Sequence, residues 1–226
     1  MVHAHSPFAD PAKISSYAEN ARRNVPGLAD LHCMVTLLLA ERVPQAAHLL
    51  VVGAGGGIET AAMALSQPSW RFTGVDPSPA MLDLARQETQ TYADRINLIE
   101  GRVNDLPQDR YDGATCLLTF HHLARDERLH VLREIHSRLN HGGPLVVVEH
   151  TAIGQDPARW MCLSAAFRDR EGPDWEKAFE AGAAMTRHLS LMTPAETEAL
   201  LRDAGFGEME LFYAALSFRG WIARAS

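Results

Sequence analysis

The sequence predicts an α/β protein with a doubly wound, mostly parallel sheet of seven strands, a helical cap and a closing antiparallel hairpin. Strand and helix patterns alternate between residues 46 and 150, which is typical of a parallel sheet with right-handed crossovers. The first strand breaks into the glycine-rich run 53–57. The last two strand patterns have only a short connection, which forces them to pair as an antiparallel hairpin.

The chain length fits one domain. With 226 residues the chain can bury one sizeable core. Its composition, 46% hydrophobic and 22% charged, is that of an ordinary globular protein. The pattern divides the single domain 1–226 into N-terminal helices, a ligand-binding core, a cap insertion, and a final helix with the closing hairpin: 1–45, 46–150, 151–192 and 193–226.

Several classes of function are disfavoured by composition. The net charge of −7 argues against a nucleic-acid partner, since phosphate binding needs clustered Lys and Arg. No apolar run reaches the roughly 18–20 residues of a membrane span. The N-terminus lacks the basic start of a signal peptide, so we expect a cytoplasmic protein. Cys33, Cys116 and Cys162 lie far apart in apolar surroundings, as reduced, buried thiols do.

The individual elements follow from periodicity and breakers. Helical spacing covers 10–23 and 28–42, and Pro26 and Gly27 place a boundary between them. The strand patterns lie at 48–52, 71–75, 96–100, 113–118, 145–149, 208–213 and 216–223. The further helix patterns lie at 58–66, 78–92, 126–139 and 194–204. The continuous apolar run 145–149 indicates a strand covered on both faces.

Glycines and one acid mark a nucleoside-binding crevice at the carboxyl ends of the strands. Gly53, Gly55 and Gly57 read G-x-G-x-G, whereas a dinucleotide fingerprint needs its third glycine at position 58, which is Ile. Glycine lets the backbone approach a ligand closely, although a tight turn alone also explains such a triplet. Asp76, 23 positions after Gly53, ends the second strand, where an acid can accept hydrogen bonds from ribose hydroxyls.

This loop, the spacing, Asp76 and the following Pro-Ser-Pro-Ala-Met-Leu resemble the class I S-adenosylmethionine (SAM) methyltransferases, which have a Rossmann-like fold. The closing hairpin matches the antiparallel seventh strand of that family. The resemblance implies SAM as cofactor and S-adenosylhomocysteine as product. The cofactor contacts that it implies are Gly53, Ala54, Gly55, Gly57, Glu59, Asp76, Pro77, Met81, Arg102, Val103 and Thr119.

The loop after the third strand is similar to the family stretch Gly-Asp-x-x-x-Leu-Pro, in which the Asp and the next residue meet the adenine. Arg102 takes the Asp position here. We expect the Val103 backbone to pair with the adenine edge, and Arg102 to stack on the ring or to point elsewhere. Asn104 and Asp105 are either alternative contacts or turn residues.

A second departure lies two residues before Gly53. Many members carry an acid there that helps to hold the SAM amino group, and this chain has Val51. The resemblance therefore shifts that role to Glu59 at the start of the next helix. The alternative is a solvated glutamate favoured by the helix dipole.

One branch of the family, the carboxy-SAM synthase of tRNA uridine modification, is similar over nearly the full length. The matching stretches are Asn24-Val-Pro-Gly, Leu39-Ala-Glu-Arg, Leu139-Asn-His-Gly-Gly and Ala204-Gly-Phe. That enzyme has Tyr, Asp and Asn where this chain has Leu28, Arg102 and Leu117. Its arginine for the extra carboxylate has no secure match, and Arg187 is only nearby. The activity of this branch is therefore the alternative expectation.

Two histidines follow the fourth strand, where substrate should meet the methyl group. His121 and His122 titrate near neutrality and are candidates for a catalytic base. Adjacent residues on an extended segment point to opposite sides, so at most one of them should face the substrate. The alternative is that one caps the next helix or packs under the cap. Glu149 and His150 are lesser candidates.

The sequence predicts no metal site. His3 and His5 form a His-x-His near the N-terminus, which we interpret as a tail. His130, His136 and His141 lie on or after a polar helix face. None of them has the i, i+4 pairing or the cysteine partners of a zinc site.

The insertion 151–192 combines apolar and basic residues: Trp160, Met161, Phe167, Trp175, Phe179, Met185, Arg159, Arg168, Arg170 and Arg187. Three interpretations remain open. The apolar residues form the core of a cap, line a lid over an apolar pocket with an Arg for an acidic group, or form a homodimer interface.

We therefore expect a SAM-dependent methyltransferase that acts on a small, partly apolar molecule at oxygen, nitrogen or carbon. A carboxy-SAM synthase-like enzyme is one alternative. A SAM-binding partner subunit without chemistry of its own is another, and a nicotinamide dehydrogenase is least favoured.

Overall fold

The computed structural model describes residues 17–169 and 171–226. The start of the predicted helix 10–23, the His-x-His of His3 and His5, and Arg170 lie outside these residues.

Within the described residues, one seven-stranded sheet has the order β3-β2-β1-β4-β5-β7-β6. The strands are β1 His48–Val52, β2 Arg71–Asp76, β3 Ile96–Glu100, β4 Gly113–Leu117, β5 Pro144–His150, β6 Phe206–Ala215 and β7 Phe218–Ala225. The first five are parallel, with Leu50 opposite Thr73 of β2 and Ala114 of β4. β7 runs antiparallel to β5 and pairs with β6 as a hairpin. The predicted doubly wound fold with its closing hairpin is confirmed.

The helices are α1 Tyr17–Asn24, α2 Leu28–Ala40, α3 Ile58–Ser66, α4 Pro79–Glu88, α5 Arg125–Arg138, α6 Pro157–Ala166, α7 Trp175–His188 and α8 Pro194–Asp203. The predicted break at Pro26 and Gly27 is confirmed, because Gly27 has a left-handed φ of 61° immediately before α2. α8 begins with a capping box, in which Thr193 and Glu196 each accept a hydrogen bond from the other's backbone.

Several predicted boundaries differ from the structure by one residue or more. The helix predicted over 78–92 ends at Glu88, where the Thr89 hydroxyl bonds the Ala85 carbonyl and a 3₁₀ turn, Gln90–Arg95, follows. β4 ends one residue early, because Leu118 has a φ of 57°. β6 extends two residues beyond its predicted bounds at each end. β7 continues to Ala225 but begins two residues late, at Phe218, because Leu216 has a left-handed φ of 49° in the hairpin turn.

Apolar residues cover both faces of the sheet. Alternate residues of β1 point to opposite sides: Leu50 packs with the cluster under α5 and α8, while Leu49 and Val51 pack with the cluster under α2 and α3. Cys116 and Cys162 are buried as predicted. The expectation for Cys33 is wrong, because this thiol lies on an exposed face of α2.

None of the helices in the described ranges combines the length and apolar character that a membrane crossing requires.

Candidate active site

The loop between β1 and α3 is a cradle made of backbone. Gly53, Gly55 and Gly57 have φ angles of 72°, 49° and 80°, the left-handed region that favours glycine. A Cβ on Gly53 would lie 2.2 Å from Oγ1 of Thr119, so this loop and the end of β4 touch. A Cβ on Gly57 would lie 2.8 Å from Cα of Ala85 in α4. Side chains are thus excluded from the loop on both sides, as close backbone approach to a ligand requires.

Asp76, at the end of β2, supports this loop from the neighbouring strand. Its Oδ2 accepts a 2.9 Å hydrogen bond from the Gly55 amide, and its Oδ1 accepts one of 2.9 Å from the Ser78 amide. Burial raises the pKa of the carboxyl group, and these two hydrogen bonds oppose the shift. A carboxylate has about four acceptor positions, so two remain for ligand hydroxyls. The sequence indicated the ligand role of Asp76 but not its bond to Gly55.

Glu59 lines the same cleft. From the first turn of α3, its Oε1 accepts a 2.6 Å hydrogen bond from Oγ1 of Thr115 in β4. Burial raises the pKa of Glu59 to about 8, although the bond from Thr115 lowers it. The alternative of a solvated helix-start glutamate is wrong, because the side chain turns into the protein. It lies beside the glycine loop, and its role as the acid that replaces Val51 stays a prediction.

Tyr17 of α1 is a site residue that the sequence analysis missed. Its ring rests on the glycine loop, since a Cβ on Gly56 would lie 2.7 Å from the Tyr17 Cδ1. Burial, and then the charges of Glu59 and Asp76, raise the pKa of Tyr17 to about 12. Gly56 gave one indication of this contact. Unlike its neighbours it has no positive φ, so glycine is needed here because a side chain would collide with the Tyr17 ring.

The cleft beside Tyr17 is small. It is lined by α1, α2, the glycine loop, Glu59, Leu117 and Leu118, and it encloses a cavity of about 30 Å³. That volume is about one water's share of liquid. A nucleoside is much larger than this volume, so its binding here requires the lining, which includes Tyr17, to move.

The loop after β3 forms a 3₁₀ turn. The Arg102 amide donates a 2.8 Å hydrogen bond to Oδ2 of Asp105, which makes Asp105 a turn residue. The Arg102 guanidinium is exposed and forms an ion pair with Glu127 of α5 at 2.7 Å. Of its two predicted orientations, stacking on the adenine ring or pointing elsewhere, it takes the second. Asn104 bonds the Asp105 carboxylate at 3.2 Å. The Val103 side chain is buried, and the role of its backbone stays a prediction.

His121 and His122 lie side by side. They belong to the 3₁₀ turn Phe120–His122, and their ring centroids are 4.4 Å apart. The expectation that they point to opposite sides is wrong, because the segment is a turn and not an extended strand. His121 is 5% exposed, and its carbonyl accepts a 2.9 Å hydrogen bond from the Ser190 amide of the cap insertion. His121 therefore packs under the cap, while α5 begins without a side-chain cap.

The surroundings keep both imidazoles neutral. Burial lowers the pKa of His121 well below its usual value, and His150, His122 and Arg128 lower it further. Desolvation and then Arg128 lower the pKa of His122, whose side chain is exposed on one side. The His150 pKa falls to about 3 through burial, and its Nδ1 lies 2.7 Å from the Ser217 hydroxyl.

Glu149 is occupied by a buried ion pair. Its Oε2 accepts a 2.9 Å bond from Arg128, and its Oε1 accepts one of 2.8 Å from the Thr197 hydroxyl. Arg128 also donates to the carbonyls of Leu123 and Ser190. Both groups of the ion pair are 1% exposed. Glu149 therefore ties β5 to α5, α8 and the cap, and does not offer a free base.

The cap divides its apolar residues between interior and surface. Helices α6 and α7 meet closely, because a Cβ on Gly182 would lie 2.5 Å from the Cys162 amide. Met161 is fully buried, as the cap-core interpretation predicts. That interpretation is wrong for Trp175 and Phe179, which are 51% and 62% exposed.

The cap is joined to α1. Arg23 pairs with Asp169 at 2.7 Å, and Arg168 donates a 3.1 Å hydrogen bond to Asn20. The helix that carries Tyr17 is thereby bound to the insertion that covers His121.

Across residues 17–169 and 171–226, no three His, Cys, Asp or Glu side chains are grouped so that they could hold a metal ion.

The sheet order, the hairpin and the glycine cradle opposite Asp76 define the fold of the class I SAM-dependent methyltransferases. Residues 49–143 match the family model described as "Methyltransferase domain". The chain is 25% identical over 214 residues to a carboxy-SAM synthase of Klebsiella pneumoniae, covering 92% of this chain and 86% of that one. It is also 25% identical to the synthase of Citrifermentans bemidjiense, covering 95% and 91%. Residues 49–143 thus match a methyltransferase domain, the described chain has the class I SAM-dependent methyltransferase fold, and its cofactor is SAM.

Solved structures show the same fold. A candidate O-methyltransferase of Nostoc punctiforme superimposes with a TM-score of 0.68 at 20% identity, over 94% of this chain and 58% of that one. Human N-acetylserotonin methyltransferase, solved in complex with SAM, gives a TM-score of 0.60 at 18% identity, over 97% and 60%. The chain thus spans somewhat more than half the length of these proteins.

Proposed function

We propose that this protein transfers the methyl group of SAM to a small, partly apolar molecule. The observation that carries the proposal is the cradle of three left-handed glycines held against the Asp76 carboxylate. When bound, SAM supplies a methyl group on a positively charged sulfur. A glycine loop without side chains and an acid with free acceptor positions fit the cofactor's methionine portion and ribose, respectively.

The chain's own residues then act mainly by binding and positioning. Asp76 accepts hydrogen bonds from the ribose hydroxyls, and Glu59 accepts hydrogen bonds from the cofactor's ammonium group. Holding an acceptor atom in line with the methyl group removes much of the entropic cost of the reaction. Leu117 and Leu118 give the cleft an apolar wall, which supports a small and partly apolar acceptor.

A carboxy-SAM synthase-like activity is the second candidate, supported by the 25% identity over 92% of the chain. The contacts of this cleft favour plain SAM. Leu28 and Leu117 line the cleft and are buried, where that branch has a Tyr and an Asn. Arg102 is engaged by Glu127. An additional carboxylate needs polar partners, which these apolar side chains do not offer.

The proposal is tested by calorimetric titration of nucleoside-free protein with SAM, S-adenosylhomocysteine and NAD. We expect micromolar binding of the first two and none of NAD. Asp76→Ala should abolish binding. Asp83→Ala is the matched control, because this aspartate is 69% exposed on α4. Absence of SAM binding by folded protein would refute the proposal.

Mass spectrometry of the nucleoside that co-purifies with the protein separates the two candidate activities, since carboxy-SAM is heavier than SAM. We expect SAM or S-adenosylhomocysteine. A stable complex with a second methyltransferase-like protein, unaffected by loss of both His121 and His122, would instead indicate a partner subunit. Whether the protein is a homodimer is tested by its mass in solution.

A further inference from the structure

The hydrogen bond between His121 and β5 decides which ring nitrogen carries the proton. Nδ1 of His121 accepts a 3.2 Å bond from the main-chain N–H of His150. A backbone amide nitrogen can only donate, so Nδ1 must be unprotonated. In a neutral imidazole the proton then sits on Nε2, which becomes a donor.

The groups around His121 disfavour its cationic form. That form would place a proton on Nδ1 against the His150 amide. The titratable or charged groups that face the ring are His122 from the same turn, His150 from β5 and Arg128 from α5, and all three lower its pKa. The acid near Arg128, Glu149, is already bonded to Arg128 and Thr197. The neutral ring with a protonated Nε2 is therefore the form present at pH 7.

The Nε2–H group is available to a ligand. In the described part of the chain, Nε2 makes no hydrogen bond. It is also not one of the buried atoms without a partner, so it keeps some contact with solvent. It stands at the carboxyl end of β4, two residues after Thr119, which touches the glycine loop. A base needs a free lone pair, whereas this nitrogen presents a proton.

We infer that His121 is a hydrogen-bond donor to the acceptor's oxygen, and that the preferred acceptors are already ionised near neutral pH, such as acidic phenols or carboxylic acids. This inference rests on the proposed function. The acceptor's oxygen forms the new bond to the methyl carbon, while the carbon–sulfur bond breaks and its electron pair stays on sulfur. The negative and positive charges cancel, so no proton leaves in this step and no base is required.

The tautomer is tested by NMR of protein labelled with ¹⁵N-histidine, with His121→Gln to assign the signal. We expect a neutral ring, protonated on Nε2, from pH 5.5 to 8.5. A proton on Nδ1, or a cationic ring at pH 7, would overturn the inference. This measurement needs neither cofactor nor substrate, so it is independent of the proposed function.

The donor role is tested with 4-nitrophenol, a phenol that ionises near neutral pH, and its uncharged methyl ether as probes in the presence of S-adenosylhomocysteine. We expect the phenolate to bind more tightly than the ether. His121→Phe loses a hydrogen bond to a charged group, so we expect its phenolate affinity to fall about 10- to 100-fold. His121→Gln should keep most of the affinity, because the glutamine amide can donate from a similar position.

His130→Gln is the matched control, because His130 is an exposed residue of α5. No preference for the phenolate over the ether, or full phenolate affinity in His121→Phe, would overturn the inference. Failure of S-adenosylhomocysteine binding in the same calorimeter would instead refute the proposed function.

Discussion

Oγ1 of Thr115 donates a 2.6 Å hydrogen bond to Oε1 of Glu59, although the two residues are 56 positions apart. The bond joins the middle of β4 to the first turn of α3 and keeps the carboxyl group beside the glycine loop. A helix residue thereby places an acid beside the glycine loop, whereas the end of β1 has Val51. Because burial raises the Glu59 pKa to about 8, this acid is mostly protonated at pH 7 until a cation arrives.

Binding of SAM should release a proton from Glu59. The cofactor's ammonium group favours the carboxylate, so affinity should rise between pH 6 and 8, and about one proton should be released at pH 7. Calorimetry in two buffers of different ionisation enthalpy measures this number. Glu59→Gln should bind at least tenfold more weakly, with no dependence on the buffer. Equal heats in both buffers for the unaltered protein would contradict the assignment.

The same group should make the free protein less stable as pH rises. The folded state keeps the Glu59 proton where the unfolded chain has lost it, so the free energy of unfolding falls from about pH 4.5 to about pH 8. One pKa unit corresponds to about 1.4 kcal/mol, which makes the effect a few kcal/mol at the upper end.

Urea unfolding at pH 5 and pH 8 tests this dependence. Glu59→Gln should gain stability relative to the unaltered protein as pH rises. Glu88→Gln, on the exposed end of α4, should follow the unaltered protein at both pH values. Parallel behaviour of all three would show that Glu59 is ionised in the free protein.

Tyr17→Ala should open the cofactor cleft. Because the ring lines a cavity of only about 30 Å³, we expect its removal to lower the barrier to entry and to exit. We expect the association and dissociation rates of S-adenosylhomocysteine both to rise several-fold, with a smaller change in Kd. Surface plasmon resonance measures both rates. Tyr92→Ala, in the 3₁₀ turn after α4, is the control. Unchanged rates in Tyr17→Ala would refute a gating role.

The ion pair between Arg23 and Asp169 should influence the same rates without affecting folding. Both side chains are about half exposed, and such pairs contribute roughly 0–1 kcal/mol. Asp169→Arg should speed ligand entry and exit, while Tm hardly changes. Arg23→Asp combined with Asp169→Arg should restore the original rates. Failure of the double variant to restore them would mean that α1 and the cap move independently.

The buried pair of Arg128 and Glu149 should be needed for stability. Each group is 1% exposed, and removal of one partner leaves an uncompensated charge. Arg128→Met should lower the free energy of unfolding by about 3–5 kcal/mol, measured with urea. Arg128→Met with Glu149→Leu should recover part of this loss. If the double variant were less stable than Arg128→Met, the ion pair would not be the cause.

Local patterns were enough to predict the sheet. Alternating and continuous apolar runs located all seven strands, and Pro26 with Gly27 located the first helix boundary. The glycine positions of the loop and the placement of Asp76 could also be predicted, because a left-handed φ and an acid at a strand end are each requirements on a single residue. Errors arose where neighbours in space decide: Cys33 is exposed although its sequence neighbours are apolar, and β7 begins two residues after its apolar pattern, because Leu216 lies in the hairpin turn.

The sequence by itself determined the doubly wound fold, the glycine loop and the resemblance to the methyltransferases, since these depend on backbone preferences and periodicity within short segments. Only the tertiary structure decided that Glu59 turns inward to Thr115, that Tyr17 covers Gly56, and that the His150 amide sets the His121 tautomer. Each of these contacts joins residues far apart in the chain. Its energy depends on burial and on partner geometry, which no local pattern encodes.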